Sequence, residues 1–89
     1  MVVVKFLPRA EKDLLKLPPL IQDDILRRVE FLSDFPLMGQ KMDRAYSGYR
    51  YLLAGKNKYR IIYKVMSSQR VFIAYIRHCR RQLGLRVVH

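Results

Sequence analysis

The apolar pattern of this 89-residue chain changes its period once, close to residue 49. Before that point apolar residues recur every three or four positions between prolines; after it they fall on every second position. Side chains repeat about every 3.6 residues round a helix and every second residue along a strand, so a helical part precedes a sheet. A chain of this length closes one modest core, which makes the two parts layers of a single domain spanning residues 1–89.

Val2–Phe6 is rich in branched residues and stops at Pro8, which predicts a short strand and then a helix opening on proline. Ala10, Leu14 and Leu17 keep helical spacing up to Pro18-Pro19. Pro19 opens a second predicted helix, in which Ile21, Ile25, Val29 and Leu32 form the buried stripe and Asp23 and Asp24 complement the early turns. That helix ends near Phe35, and Leu20, Leu26 and Phe31 widen its apolar surface. Residues 36–48 hold proline, two glycines and serine and read as a connecting loop. Tyr49–Ala54, Lys58–Val65 and Arg70–Arg77 are strand-like runs, separated by Gly55-Lys56-Asn57 and by Met66–Gln69. The expectation is an α+β domain in the order β-α-α-β-β-β. Its N-terminal strand and antiparallel helical hairpin pack on an antiparallel sheet.

In the middle run Tyr59, Ile61, Tyr63 and Val65 share one face, and Lys58, Arg60, Ile62 and Lys64 share the other. The helices need an apolar surface to cover, so the tyrosine and isoleucine side goes inward and Arg60 stays open.

Charge is divided as sharply as period. Residues 1–40 hold six Lys/Arg and six Asp/Glu, whereas residues 41–89 hold twelve and one, so all of the +11 belongs to the sheet-forming half. All six tyrosines lie in that half as well. Basic residues interleaved with aromatics suit phosphates and stacked bases together, which points to a nucleic-acid partner. Charge alone also fits an acidic protein segment.

The longest purely apolar run, residues 71–76, is far below the roughly 20 residues that span a bilayer, and the start lacks the layout of a secretory signal. The expectation is a cytoplasmic protein with no membrane partner. Cys79 has no partner in the chain, and zinc-type CxxC spacing is absent.

Residues 41–89 contain one acid, Asp43, so paired-carboxylate chemistry and an acidic magnesium site have nothing to be built from there. No metal and no cofactor are expected. The remaining set can still cleave RNA through its own 2′-hydroxyl, which needs a base, cations around the phosphorane and an acid for the departing 5′-oxygen. Lys56 or Lys58, among like charges that favour the neutral amine, are candidate proton carriers, as is His78. Arg60, Arg80 and Arg81 are candidate phosphorane clamps, and Lys41, Arg44, Arg50, Lys64 and Arg77 are candidate RNA contacts.

Phe6–Leu14, Leu15-Lys16-Leu17-Pro18, Gly48-Tyr49-Arg50, Lys58-Tyr59-Arg60-Ile61-Ile62-Tyr63 and Ile76-Arg77-His78, taken in that order, resemble the RelE/ParE superfamily of bacterial and archaeal type II toxins. The "YRIIY" run is the most specific piece. The resemblance implies a microbial RNase-like fold and, for RelE-like members, metal-independent cleavage of mRNA in the ribosomal A site. It also implies an acidic cognate antitoxin. The strand-three arginine of such members falls on Arg60, and the strand-two cation falls on Arg50. A second strand-two cation falls near Leu52, and the arginine after the last strand falls on Cys79, or on Arg80 with a one-residue slip. The late tyrosine has no counterpart, because none follows Tyr75. The alternatives are ParE-like inhibition of DNA gyrase, with no cleavage by the protein itself, and a non-catalytic basic RNA-binding protein.

Overall fold

The computed structural model describes residues 2–80. Strand β1 (Val3–Phe6) leads into helices α1 (Pro8–Leu15) and α2 (Pro19–Leu32), followed by β2 (Gln40–Lys41), a 3-10 turn at Arg44–Tyr46, β3 (Arg50–Ala54), β4 (Tyr59–Ser67) and β5 (Arg70–His78). Both helices open on proline, whose fixed φ suits a first turn and whose missing N–H is no loss there. The Pro18-Pro19 pair cannot extend α1, and so divides the hairpin.

The strands form one five-stranded sheet in the order β1-β5-β4-β3-β2. The pairs β2·β3, β3·β4 and β4·β5 are antiparallel, the last two joined by short turns. Against the expected antiparallel sheet, β1 pairs parallel with β5, from Val3 opposite Arg70 to Phe6 opposite Ile73. Turn spacing reveals hairpins only; a parallel neighbour is reached through a long crossover, here the helices and the three strands before β5. The two-residue strand β2 was also hidden inside the expected loop.

The helices cover one face of the sheet. Ala10 and Leu14 from α1, with Ile25, Val29 and Leu32 from α2, pack on Leu52, Ile61, Tyr63, Val71, Ile73 and Ile76. Each large apolar side chain so buried contributes about 1.5–3 kcal/mol. Leu20, Leu26 and Phe31 point away from this core instead, Leu20 being 81% exposed. Asp24 does more than favour a helix terminus: its carboxylate accepts the Gly55 N–H and ties α2 to the β3–β4 turn. No helix among the described residues is long and apolar enough to cross a membrane.

One buried polar device fixes the path from helices to sheet. The Tyr63 side chain is fully buried, and its hydroxyl donates to the Pro36 carbonyl at 2.9 Å while accepting the Gly39 N–H at 2.8 Å. A Cβ on Gly39 would meet the Tyr63 hydroxyl at 2.5 Å, so only glycine lets the loop approach the ring this closely. Burial pushes the Tyr63 phenol above its usual pKa, opposed in part by the Gly39 N–H and by the Arg50 guanidinium.

Candidate nucleic-acid interface

Cross-strand partners in an antiparallel pair point to the same side, so the register identifies what the uncovered face carries. Arg60 of β4 stands between Leu53 of β3 and Arg77 of β5, and Ile62 stands between Tyr51 and Tyr75. Lys64 is opposite Phe72, whose partner on β1 is Lys5. This face therefore brings together Lys5, Arg60, Lys64 and Arg77 among aromatic rings.

A bulge makes that arrangement. Tyr63 pairs with Ile73 while Ile62 pairs with Tyr75, leaving Ala74 without a partner. Two residues then oppose one, and the alternation of β5 slips by one step. Val71 and Ile73 point to the helices before the bulge; after it Ile76 does, and Tyr75 and Arg77 turn to the open side.

Each central cation lies against a ring. The Arg60 guanidinium is 5.4 Å from the Tyr51 centroid, Arg77 is 5.0 Å from Tyr75, and the Lys64 ammonium is 5.4 Å from Tyr49. Such contacts are worth about 0.5–1 kcal/mol at exposed sites and restrict where the charge sits. Tyr46 meets Tyr49 and Tyr75 edge to face, both at 6.2 Å, closing the aromatic rim. Arg60 and Arg77 are direct cross-strand partners, and like charges so placed repel. Among the described residues the one ion pair joins Arg9 to Asp13, away from this face. The cations of the sheet are thus left for an external anion.

The structure divides the residues expected to act together. Arg60, Arg77 and Lys64 share the open face. Lys58 is exposed two residues before Arg60, in the β3–β4 turn just ahead of β4. Lys56 sits in the β3–β4 turn in the left-handed region, φ 59°, and lines a recess with Asp23 and Asp24 of α2. His78 pairs with Tyr59 and so faces the helices, not Arg60. It lies 4.9 Å from the Tyr59 ring, edge to face, and its Nδ1 accepts the Arg80 N–H. Arg80 is exposed just past the strand, and Arg81 lies outside the described residues.

Arg50 is likewise on the covered side, opposite Tyr63, where its guanidinium donates to the Leu37 and Gly39 carbonyls at 3.1 and 2.8 Å. Its charge braces the loop that Tyr63 anchors. Lys41 pairs with Arg50 at the sheet edge, and Arg44 is exposed in the 3-10 turn. Sequence reasoning passed over Lys5. Its alternation with Val4 and Phe6 showed the side, but nothing local showed that β1 would lie beside β5.

Residues 4–83 match the family described as ParE toxin of type II toxin-antitoxin system, parDE. The chain belongs to this toxin family. Among solved structures it is similar to the toxin-antitoxin complex RelBE2 from Mycobacterium tuberculosis, with 30% identity and a TM-score of 0.75 over 86% of this chain and 96% of that one. It is also similar to the intact RelBE complex of E. coli, with 18% identity and a TM-score of 0.76 over 91% of this chain and 100% of that one. The chromosomal ParDE system of P. aeruginosa gives 19% identity and a TM-score of 0.68 over 88% of this chain and 96% of that one. No curated protein matches the chain. As a type II toxin of the RelE/ParE superfamily, the chain carries the α+β fold that its sequence suggested.

Proposed function

We propose that this toxin is a metal-independent endoribonuclease that cuts mRNA in the ribosomal A site and so stops translation. The observation that carries the reading is the Arg60–Arg77 pair on the uncovered face, each cation set against a tyrosine. A phosphodiester placed between the two guanidiniums meets planar donor forks on both sides. In the cleavage step the RNA 2′-oxygen loses its proton and bonds to the adjacent phosphorus. The bond to the 5′-oxygen then breaks, and that oxygen takes up a proton. A cyclic phosphate and a free 5′-hydroxyl result. Arg60 and Arg77 stabilise the charge that grows on the phosphorane oxygens, which is where preorganised cations act most strongly. Lys58, in the turn just ahead of β4, is the proton carrier nearest in sequence to Arg60, and Arg80, exposed just past β5, is a further clamp.

The partner in the cell is a cognate antitoxin whose acidic surface neutralises the cationic face and blocks substrate. A second reading, ParE-like inhibition of DNA gyrase, draws support from His78. The imidazole expected to move protons faces away from Arg60, which leaves the open face better furnished for binding anions than for moving protons. Primer extension on programmed ribosomes, run beside a gyrase supercoiling assay, separates the two. Cuts within A-site codons are the expected result; trapped gyrase–DNA complexes without cuts would overturn the ribonuclease reading.

A further inference from the structure

A second cationic surface lies on the helix side, in a cleft of about 520 Å³ between α1 and the end of β5. Arg9, Lys12 and Lys16 line it from α1. Their spacings of three and four place them along one flank of that helix, beside the Ala10 and Leu14 stripe that packs inward. Arg77 and His78 line it from β5. Against these three cations of α1 stands one carboxylate, Asp13, while the Arg77 guanidinium lies on the open side. That carboxylate is already engaged: one oxygen accepts the Ile76 N–H at 3.2 Å and the other faces Arg9 at 3.5 Å. Leu17, Ile76 and the edge-to-face pair of Tyr59 and His78 supply an apolar, aromatic lining within the cationic rim. The volume is within the range of small-ligand sites, roughly 300–1,000 Å³. Cations around an aromatic floor suit a phosphate and its base together.

We propose that this cleft is a second nucleic-acid site, which takes the phosphodiester backbone of single-stranded RNA beyond the stretch held on the open face. Arg77 joins the two surfaces: it lies over Tyr75 on the open side and also lines the cleft. The strand passes round the end of the sheet at Arg77 and continues along α1. The chain's own residues 81–89 carry two arginines and no acid, so they offer the cleft no charge complement. The inference rests on RNA being the ligand of the open face.

The test compares two charge-neutralised variants of the full chain, Lys12→Gln/Lys16→Gln and Arg27→Gln/Arg28→Gln. The second removes the same charge from exposed positions on α2, outside the cleft. Both keep the folded state, checked by thermal unfolding. Affinity for a short fluorescein-labelled single-stranded RNA is read by anisotropy against salt. The cleft variant should bind about tenfold more weakly, and its slope of log K against log salt should fall by about 1.4, two phosphate contacts at about 0.7 each. The α2 variant should change neither quantity by more than about twofold. Equal losses in the two variants, no loss in the cleft variant, or tighter Lys12- and Lys16-dependent binding of a polyglutamate peptide than of the RNA would each overturn the site. Cleavage by both variants on programmed ribosomes is followed in parallel. Cleft-dependent RNA binding by a toxin that cuts nothing refutes the ribonuclease and keeps the cleft; cutting without cleft-dependent binding does the reverse.

Discussion

Replacing Arg60 by glutamine separates the work of this side chain in the fold from its proposed work in RNA cleavage. In the fold, Arg60 opposes Arg77 across the β4–β5 ladder and lies over Tyr51. Like charges directly opposite cost about 0.2–1 kcal/mol. The contact with the ring contributes about 0.5–1 kcal/mol. These two effects offset, so Arg60→Gln should move the unfolding free energy in urea by less than about 1 kcal/mol. In the proposed cleavage nothing offsets the loss. Removing one preorganised transition-state donor costs about 2.7–4 kcal/mol, or roughly 100- to 1,000-fold in rate. Single-turnover cleavage of mRNA on programmed ribosomes should therefore fall by about that factor in a protein that unfolds like wild type. Arg77→Gln should behave alike. In the double variant the stability terms should be non-additive, because the first substitution already relieves the repulsion. A cleavage rate within about threefold of wild type, against the roughly 100-fold expected, refutes Arg60 as a phosphorane clamp. Destabilisation beyond about 2 kcal/mol refutes the claim that the arginine pair is nearly neutral for the fold.

Tyr63→Phe should cost about 1–3 kcal/mol, because the Gly39 N–H loses its acceptor inside the protein. For a domain of this size each kcal/mol lowers Tm by about 4–8 °C, which a thermal melt resolves. The raised Tyr63 phenol makes the folded state keep a proton that the unfolded chain releases near its ordinary value of about 10. Its contribution is complete below about pH 10 and is lost as pH climbs through the folded value. Wild type should accordingly lose more stability than Tyr63→Phe between about pH 9 and 11; parallel curves would remove the proton linkage. Asp13→Ala takes the acceptor from the Ile76 N–H and the partner from Arg9, and should destabilise by about 1–3 kcal/mol in urea titration. Asp13→Asn, which keeps an oxygen there, should recover most of that loss.

The layers, the inward side of β4 and the place of Arg60 on the open face were all legible in the sequence, because each depends on local period. Tyr59, Ile61 and Tyr63 alternate with Arg60 and Ile62 over a stretch whose pairing with β3 is unbroken. What period could not reveal is the slip at Ala74. Unbroken alternation from Val71 and Ile73 would send Tyr75 and Arg77 under the helices and turn His78 outward beside Arg60. The bulge reverses these assignments, bringing Arg77 to the open face and His78 to the covered one. Nothing in the residues around Ala74 marks the extra position, since a small buried residue is equally at home in a regular strand. Arg50 was misplaced for a different reason. A charged residue in a tyrosine-rich strand reads as a ligand contact, whereas here two loop carbonyls satisfy it. The parallel seating of β1 was invisible because it joins the two ends of the chain.

The near absence of internal ion pairs has a consequence for the free toxin. With Arg9–Asp13 the one such pair among the described residues, the surplus positive charge of the second half has no counterweight inside the molecule. The folded toxin therefore works against its own electrostatic pressure, and dissolved salt, which shortens the range of that pressure, should make it sturdier. Any polyanion seated on the sheet does the same at a single place. Capture by an antitoxin and resistance to unfolding are then two readings of one charge imbalance.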